Sequence, residues 1–252
     1  MEAIFGTDRL KAKMDALVAE YNTTDFIEND PVRFVRMFTN KLDIEVAAFL
    51  VSMIAWGRRE QINSSCQKLL FDIMGGNPYE YVMSEKWKEL NPDMNIHRTF
   101  WGSDLQYMCR GLHYLYGNSL GTLENLFSGA LDMWDCMDDF FTFMQYPSDY
   151  GNRHLPNPER AACKRMHLML RWLVRNDGIV DLGIWKNISP ADLYIPLDVH
   201  VAEAARELGL LTRKHNDRKA VEELTARLRR LDPADPVKYD FALFGCSLNK
   251  RI

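Results

Sequence analysis

Apolar residues recur at helical spacing along almost the whole chain, and this repetition limits the possible folds more than any other feature. The clearest case is residues 43–56 (DIEVAAFLVSMIAW), whose apolar character predicts a helix in the core. Sustained alternation of apolar and polar residues, the pattern of a half-buried strand, does not occur in the sequence. The sequence therefore predicts an all-α fold.

Turns that contain glycine or proline divide the chain into a series of predicted helices. These helices cover residues 7–21, 31–39, 43–56, 57–74, 78–90, 104–116, 122–131, 134–144, 158–176, 198–208, 217–231 and 236–247. The longest irregular stretch is residues 145–160 (QYPSDYGNRHLPNPER), and a loop of that length is often functional. We expect a single unit with two helical lobes, about 40–145 and 1–39 plus 146–252, which flank a central groove.

Composition excludes several classes of protein. The chain is 47% hydrophobic and 26% charged, which is ordinary for a globular protein, and no apolar run is long enough to span a bilayer. The charged residues near the start argue against a secretory signal. We therefore expect a cytoplasmic protein, associated with the nucleoid if it binds DNA, and most simply a monomer.

The metal-binding residue types are scattered. The five cysteines and six histidines show no close pairing, so neither a disulfide framework nor a metal or iron–sulfur site is predicted, and no cofactor is expected.

The net charge of −4 does not indicate a nucleic-acid-binding protein. Acids, however, gather at 132–139 and bases at 160–175 and 206–230, an uneven distribution that leaves room for a basic face.

Asp198 is the residue around which a functional hypothesis forms. It stands in the segment YIPLDVHVAEAARELGLL (194–211), directly before a run with helical apolar spacing that ends near Gly209. An aspartate in that place predicts an N-cap, whose carboxylate accepts a hydrogen bond from a free backbone N–H of the first turn. That structural role alone is sufficient to explain the residue.

The helix predicted at 158–176 carries a stripe of bases. Lys164, Leu168, Arg171 and Arg175 share one face, and the cations lack acidic partners one turn away along the stripe. Trp172 faces away from the stripe, as a core residue would. A solvated surface is the usual explanation for such a stripe. The alternative is that a phosphate backbone relieves the repulsion between these cations.

Lys164 and Asp198 together would suit the breaking of an N-glycosidic bond. A lysine amine that has lost its proton can attack an electrophilic sugar carbon. A carboxylate at a helix N-terminus is favoured in its charged form and can stabilise the developing oxocarbenium ion or move protons. This chemistry requires that the two side chains meet in the folded protein.

At these residues the chain resembles the helix-hairpin-helix DNA glycosylase superfamily. LDVHVAEAARELGL is similar to the superfamily segment that contains the catalytic aspartate, which corresponds to Asp198. Bifunctional members carry a lysine at the start of the preceding long helix, where this chain has Lys164. The resemblance extends over about residues 40–248. It implies a two-lobed helical glycosylase-like fold.

Other segments resemble the archaeal 8-oxoguanine glycosylases. DFALFGCS is similar to their C-terminal segment that lines the base pocket, which implies substrate-binding roles for Asp240 and Phe244, with Leu168 and Trp56 beside them. The helix that ends at Trp56 is similar to one after which residues probe the DNA stack. The residues predicted to bind DNA, from the basic stripe and from this similarity together, are Arg58, Arg59, Gln61, Arg165, Arg171, Arg175 and His200. The whole chain looks like a bacterial family of unassigned function with AxGRxxQI, KRMxxxLRWxVR and IPLDxHV segments.

The hairpin departs from the superfamily pattern. Where the superfamily has L-P-G-x-G, with glycines that let backbone amides approach a phosphate, this chain reads HLPNPERAACKRM. The superfamily's C-terminal iron–sulfur cysteines are also missing from the sequence. A divergent hairpin is compatible with the fold but weakens the case for phosphate binding at this place.

The resemblance implies a base-excision repair glycosylase, with lyase activity if Lys164 forms a Schiff base. Its partner would be duplex DNA that contains a damaged purine, most simply oxidised guanine, and no membrane is involved. Two alternatives stay open. One is a non-catalytic nucleic-acid-binding protein on a glycosylase scaffold, and the other is a helical protein-interaction domain.

Overall fold

The computed structural model describes residues 2–118, 121–130, 132–148 and 150–249. The chain is 62% helical, and the described residues contain 13 α-helices and one small two-stranded sheet. The predicted all-α class is therefore confirmed. Among the described residues, no helix has the length and apolar character that a membrane span requires.

The elements follow one another as α1 (Glu2–Tyr21), α2 (Thr24–Asn29), α3 (Val32–Val35), α4 (Lys41–Ile54), α5 (Arg59–Gln67), α6 (Pro78–Met83), β1 (Asn95–His97), β2 (Phe100–Trp101), α7 (Gly102–Gly117), α8 (Leu123–Phe127), α9 (Met133–Gln145), α10 (Lys164–Val174), α11 (Val199–Glu207), α12 (Arg218–Leu231) and α13 (Tyr239–Asn249). A π-helical turn, Lys68–Ile73, continues α5. The chain divides into two compact units, one formed by Met1–Phe26 with Pro158–Ile252 and the other by Ile27–Asn157.

The Ile27–Asn157 unit is built on α4. Every residue of this helix from Ile44 to Ile54 is buried, as its apolar sequence predicts. Asn40 begins the helix by accepting a hydrogen bond from the backbone N–H of Leu42 at 2.9 Å. The buried carboxylate of Glu45 accepts hydrogen bonds from the Tyr116 hydroxyl and the Leu123 backbone N–H, both at 3.1 Å. Its burial is therefore compensated by two donors.

The other unit is organised around α10, whose residues from Met166 to Val174 are all buried. The segment after α10 folds back over it, and the backbone N–H groups of Leu182 and Trp185 donate to the carbonyls of Trp172 and Leu173, each at 2.8 Å. α13 packs against both α1 and α11. These contacts fix the elements that carry Lys164, Asp198 and Asp240.

Several local features differ from the sequence prediction, and the predicted helices 31–39, 78–90 and 122–131 are shortened to α3, α6 and α8. Residues 158–160 form a turn and 161–163 are irregular, so α10 begins at Lys164 and not near Pro158. The cause is Cys163, whose left-handed conformation (φ 45°) cannot belong to a helix. Strands β1 and β2 form an antiparallel pair joined across Arg98, which also has a positive φ of 50°. Strands this short carry no periodicity that a sequence pattern could reveal.

Gly245 allows the close packing of α13 against α1, and we expect Gly245→Ala to destabilise the protein. A Cβ atom there would lie 2.2 Å from two ring carbons of Tyr21. We expect a loss of about 1–3 kcal/mol in the free energy of unfolding, measured by urea denaturation. Gly117→Ala in α7 is the matched control, because its Cβ would meet nothing within 4 Å and alanine favours a helix. Equal effects of the two substitutions would contradict the packing assigned to Gly245.

Candidate active site

Lys164 and Asp198 meet in the folded protein, as the sequence argument requires. The Nζ atom of Lys164 lies 3.8 Å from Oδ2 of Asp198, and 29% and 38% of the two side chains are exposed. The other carboxylate oxygen, Oδ1, accepts a hydrogen bond from the Val201 backbone N–H at 2.9 Å. Asp198 therefore caps α11 with one oxygen and faces the lysine with the other. The predicted N-cap and the predicted proximity are both confirmed.

Lys164 occupies a position that a helix does not favour. It is the first residue of α10, where the positive end of the helix dipole disfavours a cation, and the first turn of α10 contains no acidic residue. The residue before it, Cys163, is held in the left-handed region. Local rules are broken most often at functional sites, where the fold supports an otherwise costly arrangement. The ammonium group is compensated by Asp198, which comes from a different helix.

Arg171 and Arg175 do not lie on an exposed basic face. The prediction that these two residues bind DNA was therefore wrong. Only 2% of Arg171 and 5% of Arg175 is exposed. Both guanidinium groups pair with Asp181, at 3.2 Å from Arg171 and 3.0 Å from Arg175. Arg171 also pairs with Asp240. The repulsion between the two arginines is therefore relieved by carboxylates inside the protein, so neither side chain is available to bind a DNA phosphate.

The pairs extend into a network of two buried arginines and four aspartates, of which Asp181 and Asp240 are buried. Arg175 pairs with Asp177, and also with Asp235 at 2.7 Å. The Phe241 ring lies beneath both guanidinium groups, 4.3 Å from Arg171 and 5.6 Å from Arg175. Favourable cation–π contact adds to the ion pairs in a site of this kind. The network ties α10, the segment after it and α13 together.

Asp240 joins this network to the Lys164–Asp198 pair. Burial raises the pKa of the Asp240 carboxyl to about 6, Arg171 and Lys164 oppose the rise, and the charge of Asp198 adds to it. Burial also raises the pKa of Asp181. Lys164 and Arg171 both belong to α10, so the helix that carries the Lys164–Asp198 pair also carries the arginine that pairs with Asp240.

The remaining predicted residues of this unit differ in their exposure. Leu168 lies one turn after Lys164 and is buried, and Arg165 is half-buried. Phe244 is half-buried and packs edge-on against Phe26, with ring centroids 5.7 Å apart. His200 is exposed in the first turn of α11. Base contact by Phe244 and Leu168, and DNA contact by Arg165 and His200, stay predictions.

Four further predicted residues belong to the Ile27–Asn157 unit. Arg58, Arg59 and Gln61 are exposed at the start of α5. Trp56 is half-buried, with the Arg98 guanidinium 4.9 Å above its ring. Their DNA contacts also stay predictions.

Sequence reasoning missed the acidic partners of the arginines. Asp177 and Asp181 stand in DGIVD, directly after α10, and a helix followed at once by two acids could have indicated that the chain folds back to pair with it. Asp235 and Asp240 come from the last part of the chain and carry no such signal. Within the residues that the structure describes, no cluster of three or more His, Cys, Asp and Glu side chains could hold a metal ion.

Comparisons with known proteins give one match. A family model with the description "Protein of unknown function (DUF2400)" matches residues 30–249. No curated protein and no solved structure gives a significant match to the chain. The site must therefore be interpreted from its own geometry.

Arg171→Gln separates the two interpretations of the stripe. The substitution leaves the buried Asp240 without its cation and leaves Asp181 with Arg175 alone, so we expect a loss of about 3–5 kcal/mol in the free energy of unfolding. Urea denaturation measures the loss. An exposed phosphate-binding arginine would instead leave stability unchanged, and that result would contradict the network.

Proposed function

Because the chain belongs to the DUF2400 family, whose description gives no function, we propose its function from its own residues. We propose a base-excision repair DNA glycosylase with lyase activity, which removes a damaged purine, most simply oxidised guanine, from duplex DNA. Lys164 is the nucleophile and Asp198 is the carboxylate that assists it. A cytoplasmic enzyme that acts without a cofactor follows from the same proposal.

One observation carries this proposal, which is the distance of 3.8 Å between Lys164 Nζ and Asp198 Oδ2 at a partly exposed site. An ion pair with only a structural role does not require a lysine at the first residue of a helix, because other surface positions would allow the same pair. Here the lysine stands at a helix start that disfavours a cation, and the aspartate keeps one oxygen free of its capping role. This arrangement supports a nucleophile paired with a proton acceptor.

The proposed reaction begins when Lys164 gives its proton to Asp198. The amine then attacks C1′ of the nucleotide, the bond between C1′ and the base nitrogen breaks, and its electron pair leaves with the base, which takes up the proton that Asp198 received. Asp198 is then a carboxylate again and stabilises the positive charge that develops on the sugar. The sugar ring then opens as the bond from C1′ to the ring oxygen breaks, a proton moves from nitrogen to that oxygen, and a Schiff base on Lys164 remains.

The base must leave the duplex before C1′ can be attacked, which costs a few kcal/mol. Phe244 and Leu168 are proposed to contact the extruded base, and Trp56 to contact the gap that the base leaves in the duplex. Asp240 belongs to this group in the proposal, although one of its carboxylate oxygens is engaged by Arg171. The proposed DNA contacts are Arg58, Arg59, Gln61, Arg165 and His200. Arg171 and Arg175 are removed from this set because both are buried.

Borohydride trapping tests the lysine directly. Wild-type protein mixed with oxidised-guanine duplex DNA and borohydride should form a covalent protein–DNA adduct, because hydride reduces the Schiff base to a stable amine. Lys164→Ala should form no adduct, as read by denaturing electrophoresis and by mass spectrometry of the attachment site. Lys219→Ala is the matched control, since Lys219 is an exposed lysine of the same unit, and it should trap like wild type. A wild type without adduct, or equal trapping by Lys164→Ala, would remove this mechanism.

Asp198→Asn tests the carboxylate without removing the helix cap, because asparagine is as good an N-cap as aspartate. We expect nearly unchanged stability and a rate of base release lower by roughly 10²–10⁴. Single-turnover cleavage assays measure the rate, and thermal denaturation checks the fold. Base release at the wild-type rate would show that the carboxylate has no chemical role.

A second candidate is a non-catalytic nucleic-acid-binding protein, and the residues before α10 favour it. The segment HLPNPERAAC has no glycine pair, and in the structure it forms turns that lead to Lys164. Salt-dependent DNA binding without base release from any lesion in a panel of single-lesion duplexes would select this candidate.

A further inference from the structure

A polar cavity of about 490 Å³ opens on the surface of the Ile27–Asn157 unit. Its walls come from α5 on one side and from β1 with the following residue on the other. The polar and charged residues that line it are Glu60, Gln61, Ser64, Ser65, Asn95, His97 and Arg98. Of these, only Gln61 was singled out by the sequence. The cavity therefore needs an explanation of its own.

Arg98 is held in place by unusual backbone. The residue has a left-handed conformation (φ 50°), and its guanidinium lies 4.9 Å above the Trp56 ring. Gly57 has a φ of 107°, and a Cβ atom there would lie 2.6 Å from Nη1 of Arg98. The positive φ favours glycine at this position, and a larger residue would displace the end of the Arg98 side chain. Among the described residues, no carboxylate forms an ion pair with Arg98, so its charge stays uncompensated.

Asn95 fixes the wall that carries Arg98. Its side-chain amide donates to the Arg98 carbonyl at 2.7 Å, which supports the left-handed turn. Its own carbonyl accepts a hydrogen bond from Lys68 Nζ at 2.7 Å. Both the side chain and the backbone carbonyl of Asn95 are hydrogen-bonded, so this wall of the cavity is preorganised.

The inner wall of the cavity, formed by His97 and Ser65, is uncharged. The His97 N–H and the Ser65 hydroxyl already donate hydrogen bonds within the protein. The Trp56 carbonyl can only accept, so Nε2 of His97, 2.8 Å away, carries the ring proton. Nδ1 is then the acceptor, and the Ser65 hydroxyl donates to it at 2.9 Å. Burial lowers the pKa of His97, which keeps the ring neutral. The donors left for a ligand are the Arg98 guanidinium, the Ser64 hydroxyl and the Gln61 amide.

We propose that this cavity binds a phosphate group of the DNA backbone. A guanidinium stacked on the Trp56 ring with neutral donors beside it matches a phosphate oxyanion, and the exposed Arg58 adds charge of the same sign. Glu60 also lines the cavity, and its carboxylate opposes an anion. The inference shares with the proposed function the premise that DNA is the partner, but it requires no catalysis.

Salt-dependent binding tests the site. Fluorescence anisotropy of a labelled duplex, from about 50 to 300 mM NaCl, would compare wild type with Arg98→Gln. We expect affinity at about 0.1 M salt to fall roughly five- to tenfold and the log–log salt slope to decrease by about 0.9, the value for one lost phosphate contact. Lys86→Gln removes one exposed charge outside the cavity of the same unit and should behave like wild type.

Two further variants protect the test if Arg98→Gln does not fold. Ser64→Ala should weaken binding roughly threefold with an unchanged salt slope, because a neutral donor is lost. Glu60→Gln should tighten binding, because an opposing charge is removed. The inference is overturned if these variants bind DNA like wild type, if Lys86→Gln weakens binding as much as Arg98→Gln, or if wild type does not bind DNA.

An arm with inorganic phosphate at constant ionic strength distinguishes the source of the ligand, with isothermal titration calorimetry as the readout. Phosphate binding that depends on Arg98, together with equal DNA affinity of all variants, would assign the cavity to a free phosphate and overturn the DNA-backbone proposal. DNA binding that depends on Arg98 without any borohydride adduct would support this inference and remove the proposed glycosylase. An adduct on Lys164, together with a DNA affinity that does not change in Arg98→Gln, would support the proposed glycosylase and overturn this inference.

Discussion

The unit that contains the candidate site depends on one buried set of charges, the pairing of Arg171 and Arg175 with four aspartates. Guanidinium groups placed inside a protein are costly unless carboxylates satisfy them with good geometry. Asp181, whose side chain is completely buried, lies between the two arginines and satisfies both. Because the partners come from three segments, the network fixes the path of the chain around α10.

This anchoring explains how a reactive pair is held at the start of the same helix. α10 carries the arginines inside the protein and Lys164 at its partly exposed first residue, while Asp198 is fixed by its capping hydrogen bond. Asp240 belongs to both groups, since it pairs with Arg171 and responds to the charges of Lys164 and Asp198. The functional proposal therefore relies on a rigid scaffold with two side chains left accessible, which is what preorganisation at an active site requires.

What the sequence could predict was local. The helices follow from apolar spacing, and Asp198 could be predicted as a cap because its partner is three residues away. The environment of Arg171 could not, because Asp240 lies far along the chain and a basic stripe looks alike whether it faces solvent or buried acids. The Arg98 turn was missed for a related reason, since it depends on Gly57 and Trp56 from another segment.

The central claim is that Lys164 and Asp198 form one site for the sugar of an extruded nucleotide. A crystal structure with duplex DNA that carries a tetrahydrofuran analogue of an abasic site tests it most directly, because binding then needs no chemistry. The account predicts that the carbon equivalent to C1′ lies within about 3–4 Å of Lys164 Nζ, with Asp198 beside it. An analogue bound elsewhere, with Lys164 and Asp198 still paired and unoccupied, would contradict the account.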